Sequence, residues 1–191
     1  MAVDFSVPEP PKTIDRMQVL LAIVALWIGS IVGWLLYVGL PIVAALGISS
    51  KGSQRWLQED SGKITGWLRQ YLGLYAYAFF LTDKFSTENL GQNVRLEITP
   101  DANPSVGSAL LRWIMTIPSY FVFSLFGIVS GIFWLISAVM ILISGSYPES
   151  FVSFQRGMLA WQARMFGYHA SLTDTYPPFG VEMDSASSPA A

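Results

Sequence analysis

The stretch that decides the fold runs from residue 17 to residue 50 and reads MQVLLAIVALWIGSIVGWLLYVGLPIVAALGISS, without one charged side chain. A second uncharged stretch lies between Arg112 and Glu149 and reads WIMTIPSYFVFSLFGIVSGIFWLISAVMILISGSYP. Apolar runs longer than about 18 residues favour the hydrocarbon core of a membrane over the interior of a soluble protein. We therefore predict an all-α membrane protein rather than a soluble helical fold.

The composition supports this class and excludes others. Charged residues make up 13% of the 191 residues, whereas about 25% is usual for soluble domains. The net charge of −2 offers no basic surface for a phosphate backbone, so nucleic acid is excluded as a partner. The chain contains no cysteine, which excludes disulfides, thiolate metal sites and thiol catalysis.

Both apolar blocks are longer than a single upright span requires. A straight helix of this length measures about 50 Å, and the hydrocarbon core is about 30 Å thick. We therefore predict a helical hairpin in each block, at residues 17–50 and 112–147, which either crosses the membrane fully or dips into it. Small residues near the centre of each block are the expected turns: Gly29, Ser30 and Gly33 in the first, Gly127, Ser130 and Gly131 in the second.

The basic residues predict the orientation. All 11 Lys and Arg residues lie outside the two blocks, and a hairpin returns to the side from which it started. The positive-inside rule then places both termini and all polar segments on the cytoplasmic side. The expected location is a bacterial inner membrane.

The sequence also indicates an internal repeat. Residues 77–85, YAFFLTDKF, recur at a spacing of 91 as residues 168–176, YHASLTDTY. Each copy follows an apolar block that begins just after an arginine, Arg16 or Arg112. We predict two tandem repeats, residues 1–91 and 92–184, and a flexible tail at residues 185–191.

Each repeat is expected to begin with a short strand at the membrane surface. Apolar and polar residues alternate at residues 3–7 and 94–98, as half-buried strands do, and residues 179–183 show the same alternation. These three segments are the only predicted strands.

Each repeat is also expected to carry an amphipathic helix after its hairpin, at residues 54–82 and 149–173. We predict that the second helix lies in the headgroup plane; the first, between Ile64 and Leu81, either lies in plane or forms a fifth span. The predicted interfacial and docking face of the second helix comprises Phe151, Phe154, Met158, Trp161, Met165 and Tyr168.

This pattern resembles an uncharacterised family of prokaryotic integral membrane domains. The resemblance is carried by Gly145, Tyr147, Pro148, Phe154, Gly157, Trp161, Arg164 and Tyr168, followed by Leu172-Thr173-Asp174 and Tyr176-Pro177-Pro178-Phe179. The first repeat departs from it: Lys51 to Gln54 replace the Gly-x-Tyr-Pro turn, and Lys84 to Thr87 replace the Pro-Pro ending. The resemblance implies a membrane fold and no established activity.

The Thr-Asp pairs are the repeated polar residues with the clearest expected role. A Thr-Asp pair after a helix satisfies exposed backbone amides, so we assign Thr82, Asp83, Thr173 and Asp174 a structural role rather than one in proton relay. We also expect the aspartates to pair with basic side chains. The candidates are Arg16, Arg112 and Arg164.

His169 is the single histidine and the one weak candidate for a cofactor ligand. Haem or a pigment would need an apolar pocket around it and a partner for its second ring nitrogen. No second histidine or cysteine exists to complete a ligand pair or a nucleophile-base pair. We predict no metal and no cofactor other than bound lipid.

These observations predict a non-catalytic membrane protein. Its expected role is that of an accessory or scaffold subunit packed against a larger membrane complex, with lipids and other integral membrane subunits as partners. The alternative is a protein that binds or translocates lipid. A small transporter is less favoured, because the apolar blocks offer few polar groups apart from Gln18.

Overall fold

A computed structural model describes residues 3–181 of the chain. The elements in order are β1 (Val3–Ser6), α1 (Arg16–Lys51), α2 (Ser53–Arg55), a π-helical turn (Trp56–Asp60), α3 (Ser61–Ala78), a 3-10 turn (Leu90–Asn93), β2 (Arg95–Ile98), α4 (Val106–Met115), α5 (Ile117–Ser144) and α6 (Glu149–His169). Within these residues the protein is mostly helical, with one small sheet.

Two helices are long and apolar enough to cross a membrane: Arg16–Lys51, and Val106–Ser144 taken across the α4–α5 junction. Their most apolar windows reach a mean hydropathy of 2.5 and are only 22% buried. Length and composition therefore fit the predicted membrane association. α3 is not among these two helices.

The predicted hairpin turns are wrong, because α1 is continuous from Arg16 to Lys51. The glycines at its centre serve packing instead of turning. A Cβ on Gly29 would lie 2.6 Å from Tyr75 Cε2, and one on Gly33 would lie 2.5 Å from the Tyr71 hydroxyl. The aromatic rings of α3 thus occupy the space that side chains would need.

The second block is also helical through the expected turn. Its one break lies near its start, where α4 ends at Met115 and α5 begins at Ile117. Pro118 causes this break because it has no N–H to donate to the carbonyl four residues earlier. The helix then continues past Gly127 and Gly131 to Gly145, whose φ of +72° ends it.

The predicted strands at residues 3–7 and 94–98 form a two-stranded antiparallel sheet. The register pairs Val3 with Ile98 and Phe5 with Leu96. The third predicted strand is not formed at residues 179–181. There the chain crosses α6 so closely that a Cβ on Gly157 would meet the Val181 carbonyl at 1.8 Å. Residues 182–183 and the predicted tail lie outside the described residues.

The elements form three layers. α1 and α5 form one outer layer, α3 and α6 the middle layer, and β1 and β2 pack on the opposite side, β1 on α6 and β2 on α3. α6 is buried on almost all sides, from Val152 to His169. The core of the protein is therefore the middle layer.

Candidate functional site

A groove runs between α1 and α5 over the middle layer. Its volume is about 380 Å³. α1 and α5 form its walls and α3 and α6 its floor. The lining residues are Leu26, Ser30, Tyr75, Phe79, Phe123, Gly127, Ser130, Gly131, Trp134, Met158, Leu159 and Gln162.

The groove exists because α5 carries small residues where it faces α1. A Cβ on Gly127 or Gly131 would meet no atom within 4 Å, so no neighbouring residue occupies the space beside either glycine. Gly29 and Gly33 of α1, in contrast, are covered by tyrosine rings of α3. The apolar blocks therefore use glycine in two ways, to admit a ring and to leave a space.

The polar groups near the groove are paired with one another. Ser130 Oγ donates to Gln155 Oε1 at 2.6 Å, and Gln155 Nε2 donates back to the Ser130 carbonyl at 3.1 Å. Gln162 Nε2 donates to the Tyr71 hydroxyl at 2.8 Å. Since these bonds are internal, the groove presents a mainly apolar surface with its polar groups already satisfied.

A buried arginine ties the second apolar block to the second Thr-Asp pair. Arg112, only 5% exposed, donates from Nη1 to the Tyr168 carbonyl at 3.0 Å and also to the Thr173 carbonyl. Its Nη2 forms an ion pair with Asp174, and its guanidinium lies 4.5 Å from the centre of the Tyr168 ring. Asp174 also accepts from the Asn103 amide at 2.9 Å, so one carboxylate joins α4, the loop before it and the end of α6.

Gln18 makes the corresponding bonds in the first half. Its Nε2 donates to the Tyr77 carbonyl at 3.2 Å and to the Thr82 carbonyl at 2.7 Å. These two carbonyls lie 91 residues before those that Arg112 binds. Gln18 is 4% exposed, so a buried amide stands where the second half uses a buried cation.

Three other charged residues were predicted to have structural roles: Asp83, Arg16 and Arg164. Asp83 is exposed and forms no ion pair within residues 3–181. Arg16 donates to the Ile143 carbonyl at 3.3 Å and so links the ends of α1 and α5. Arg164 is partly buried and borders a small pocket with Val3 and Thr173.

His169 is fully buried at a helix irregularity that the sequence analysis missed. Pro41 lies inside α1 and leaves the Tyr37 carbonyl without its usual helical donor. His169 Nε2 lies 2.8 Å from that carbonyl, and the Tyr37 ring stacks on the imidazole with centroids 4.9 Å apart. The signal was present in the sequence, because a proline within a helix implies a free carbonyl four residues earlier.

The second nitrogen of His169 is also occupied. Nδ1 lies 3.1 Å from the Thr116 hydroxyl, at the α4–α5 break. Because a carbonyl only accepts, Nε2 carries the proton and Nδ1 is the acceptor. Burial lowers the pKa of His169 to about 4. A neutral imidazole with both nitrogens engaged does not fit a ligand for haem or pigment.

The prediction of an outer docking face on α6 is wrong, because this face lies inside the protein. Trp161 and Met165 have no exposed surface, and Met158 and Tyr168 are nearly as buried. Phe151 stacks on Phe133 of α5 with centroids 4.2 Å apart. Helical periodicity shows that these residues share one face of α6, but it does not show that α5 packs against that face. Phe154 likewise packs on α5, against Phe126 and Phe133.

Within residues 3–181, no group of three or more His, Asp or Glu side chains is placed to hold a metal ion. Residues 107–180 match a family described as a domain of unknown function, DUF4389. That match spans α4, α5 and α6 and fits the resemblance to an uncharacterised domain family. No curated protein and no solved structure matches the chain.

Proposed function

We propose that this chain is a non-catalytic integral membrane protein that binds lipid, with one acyl chain held in the groove between α1 and α5. The proposal rests on the side of the molecule to which the groove opens, which is the side of the outer faces of α1 and α5. Its two walls continue into the outer faces of α1 and α5, where Trp27, Ile31 and Ile128 are at least 60% exposed. A molecule that enters the groove therefore comes from the phase that covers these apolar faces.

The size and chemistry of the groove support an acyl chain rather than a headgroup. Its volume of about 380 Å³ falls within the range of about 300–1,000 Å³ that is usual for ligand pockets. No lining side chain is charged. Ser30 donates to the Leu26 carbonyl of its own helix, which leaves the walls apolar.

We also propose that the two halves are copies related by a twofold axis. Phe5 pairs with Leu96 at the centre of the sheet, and Tyr71 bonds Gln162 between α3 and α6. Both pairs join residues 91 positions apart, which is the spacing of the Leu-Thr-Asp repeat. Contacts between equivalent residues are expected where a twofold axis passes.

The lipid proposal is tested by purification in mild detergent, followed by native mass spectrometry and lipid extraction. We expect about one bound lipid per chain. Gly127→Leu and Gly131→Leu fill the groove and should remove this lipid. Gly39→Leu is the matched control, because Gly39 also lies in an apolar helix with no neighbour within 4 Å of its Cβ position but outside the groove.

Equal lipid content in the groove variants and the control would overturn the proposal. The same purification tests the accessory-subunit prediction. A stoichiometric protein partner, retained by all three variants, would favour that role over lipid binding.

A further inference from the structure

The three layers separate apolar from charged residues. The sheet lies on the far side of α3 and α6 from α1 and α5, since a Cβ on Gly167 of α6 would meet Val3 and Ile98. The large side chains exposed on α1 between Met17 and Leu46 are all apolar. Those exposed on α5 between Ile117 and Ile143 are apolar too. One side of the molecule is therefore apolar along its whole length.

Charged residues lie behind the middle of these helices, not only at their ends. The midpoint of α1 is level with Tyr71, because Gly33 contacts that ring, and the exposed Arg69 lies two residues away. The midpoint of α5 is level with Gln155, which bonds Ser130. The next residue, Arg156, forms an ion pair with Glu9, whose side chain is 90% exposed.

This arrangement does not suit helices that cross a bilayer. Crossing would place Arg69 and the Arg156–Glu9 pair at the depth of the bilayer centre, where charged groups are rare and costly. α1 is also about 54 Å long, against a hydrocarbon core of about 30 Å. Its uncharged residues 17–50 offer no polar boundary at which an upright helix would leave the core.

We infer that α1 and the α4–α5 pair lie along the membrane, embedded through their apolar faces in a single leaflet. The occupant of the apolar side is the hydrocarbon of that leaflet. The middle layer lies at the headgroups, and the sheet with its charged residues faces water on the same side. This inference concerns the orientation of the whole protein and does not depend on occupancy of the groove.

Single cysteine variants test this orientation without interference, because the chain has no native cysteine. Lys12 and Ser50 report the two ends of α1, Gln92 reports the layer behind its middle, and Ile128 reports the apolar face; all four residues are exposed. The labelling reagent is a membrane-impermeant maleimide, applied to intact spheroplasts and to inverted membrane vesicles. Each variant is first checked for a wild-type elution profile in detergent.

We expect Lys12→Cys, Ser50→Cys and Gln92→Cys to react from the same side of the membrane. Ile128→Cys should react only after detergent is added. Reaction of Lys12→Cys and Ser50→Cys from opposite sides would overturn the inference in favour of crossing. Reaction of Ile128→Cys in intact membranes would overturn it by showing that lipid does not cover this face.

Polarised infrared spectroscopy of oriented bilayers provides a second measurement on the unaltered chain. α3 runs alongside α1, and α6 alongside α5. We therefore expect amide dichroism with the helix axes near the membrane plane. Helix axes near the membrane normal would overturn the inference even if a cysteine variant failed to fold.

Discussion

The helices that precede the two Leu-Thr-Asp segments, α3 and α6, end with nearly the same backbone conformation. A different side chain binds the carbonyls at each end. Each helix closes through a residue with positive φ, Phe80 at 61° and Ser171 at 58°. In each, the following amide bonds a carbonyl five residues earlier, which is the Schellman pattern. The first end is bound by the neutral Gln18 and the second by the charged Arg112.

The difference shows which part of the contact the fold requires. An amide suffices to bind the two carbonyls, so that part is common to both ends. The charge at Arg112 adds the contact with Asp174, which in turn holds the loop before α4 through Asn103. Asp83, at the end without a cation, forms no ion pair within residues 3–181. The end of α6 is therefore linked to more of the chain than the end of α3 is.

The largest effect should come from removing the buried cation. Arg112→Ala removes two hydrogen bonds from a buried cation to backbone carbonyls, and also the ion pair with Asp174. Because hydrogen bonds to charged groups each contribute about 1.5–3 kcal/mol, we expect a loss of about 3–5 kcal/mol in unfolding free energy. Gln18→Ala removes only neutral bonds and should cost about 1–3 kcal/mol. Thermal unfolding in detergent measures both.

Arg16→Ala is the control for loss of charge, since Arg16 is exposed and should cost less than about 1 kcal/mol. Equal losses for Arg112→Ala and Gln18→Ala would contradict the comparison. The double variant Arg112→Gln with Asp174→Asn sharpens it, because it gives the second end the neutral chemistry of the first. We expect it to be more stable than Arg112→Ala.

The second effect is a dependence on pH that only one end should show. Position 169 is histidine, whereas position 78, 91 residues earlier, is alanine. The pKa of His169 is about 4 in the folded protein and about 6.5 when unfolded. Between these values the unfolded chain binds the proton and the folded chain does not. Stability should therefore fall as pH drops from 6.5 to 4, by up to about 3 kcal/mol.

Comparison with His169→Gln isolates this effect from the titration of carboxylates. The glutamine amide can donate to the Tyr37 carbonyl but has no pKa in this range. Unfolding curves measured between pH 7 and pH 4 should diverge, with the wild type losing more. Parallel curves would show that His169 is not the group responsible.

The smallest effect concerns the turn residue itself. Ser171 adopts positive φ, and its hydroxyl is buried without a hydrogen-bond partner. Ser171→Gly removes both costs and should raise unfolding free energy by about 1 kcal/mol. Phe80→Gly should instead destabilise the protein, because the Phe80 side chain is completely buried. A melting temperature of Ser171→Gly at or below that of the wild type would contradict this account.

Local sequence patterns predicted the positions of the long helices and of the two paired strands. The uncharged blocks form helices, the alternating residues at 3–7 and 94–98 pair as strands, and the helix expected at residues 149–173 is α6, Glu149–His169. These features depend on neighbours within a few residues, which a single sequence displays. The match at residues 107–180 to an uncharacterised domain also agrees with the resemblance inferred from the second half.

What the sequence could not provide was the identity of distant partners. Gly29 and Gly33 suggested a turn, because nothing local shows that tyrosines of α3 fill the space beside them. The apolar face of α6 that includes Phe151 suggested an outer surface, because only the fold shows that α5 covers it. Gln18 and His169 acquired their roles in the same way, from carbonyls 59 and 132 positions away along the chain.

The apolar side formed by α1 and α5 has a mechanical consequence. In the orientation that we propose, two helices more than 40 Å long add area to one lipid leaflet and none to the opposing leaflet. A bilayer relieves such an imbalance by bending away from the crowded side, so the protein should collect where membranes are already curved and, at high density, should help to curve them.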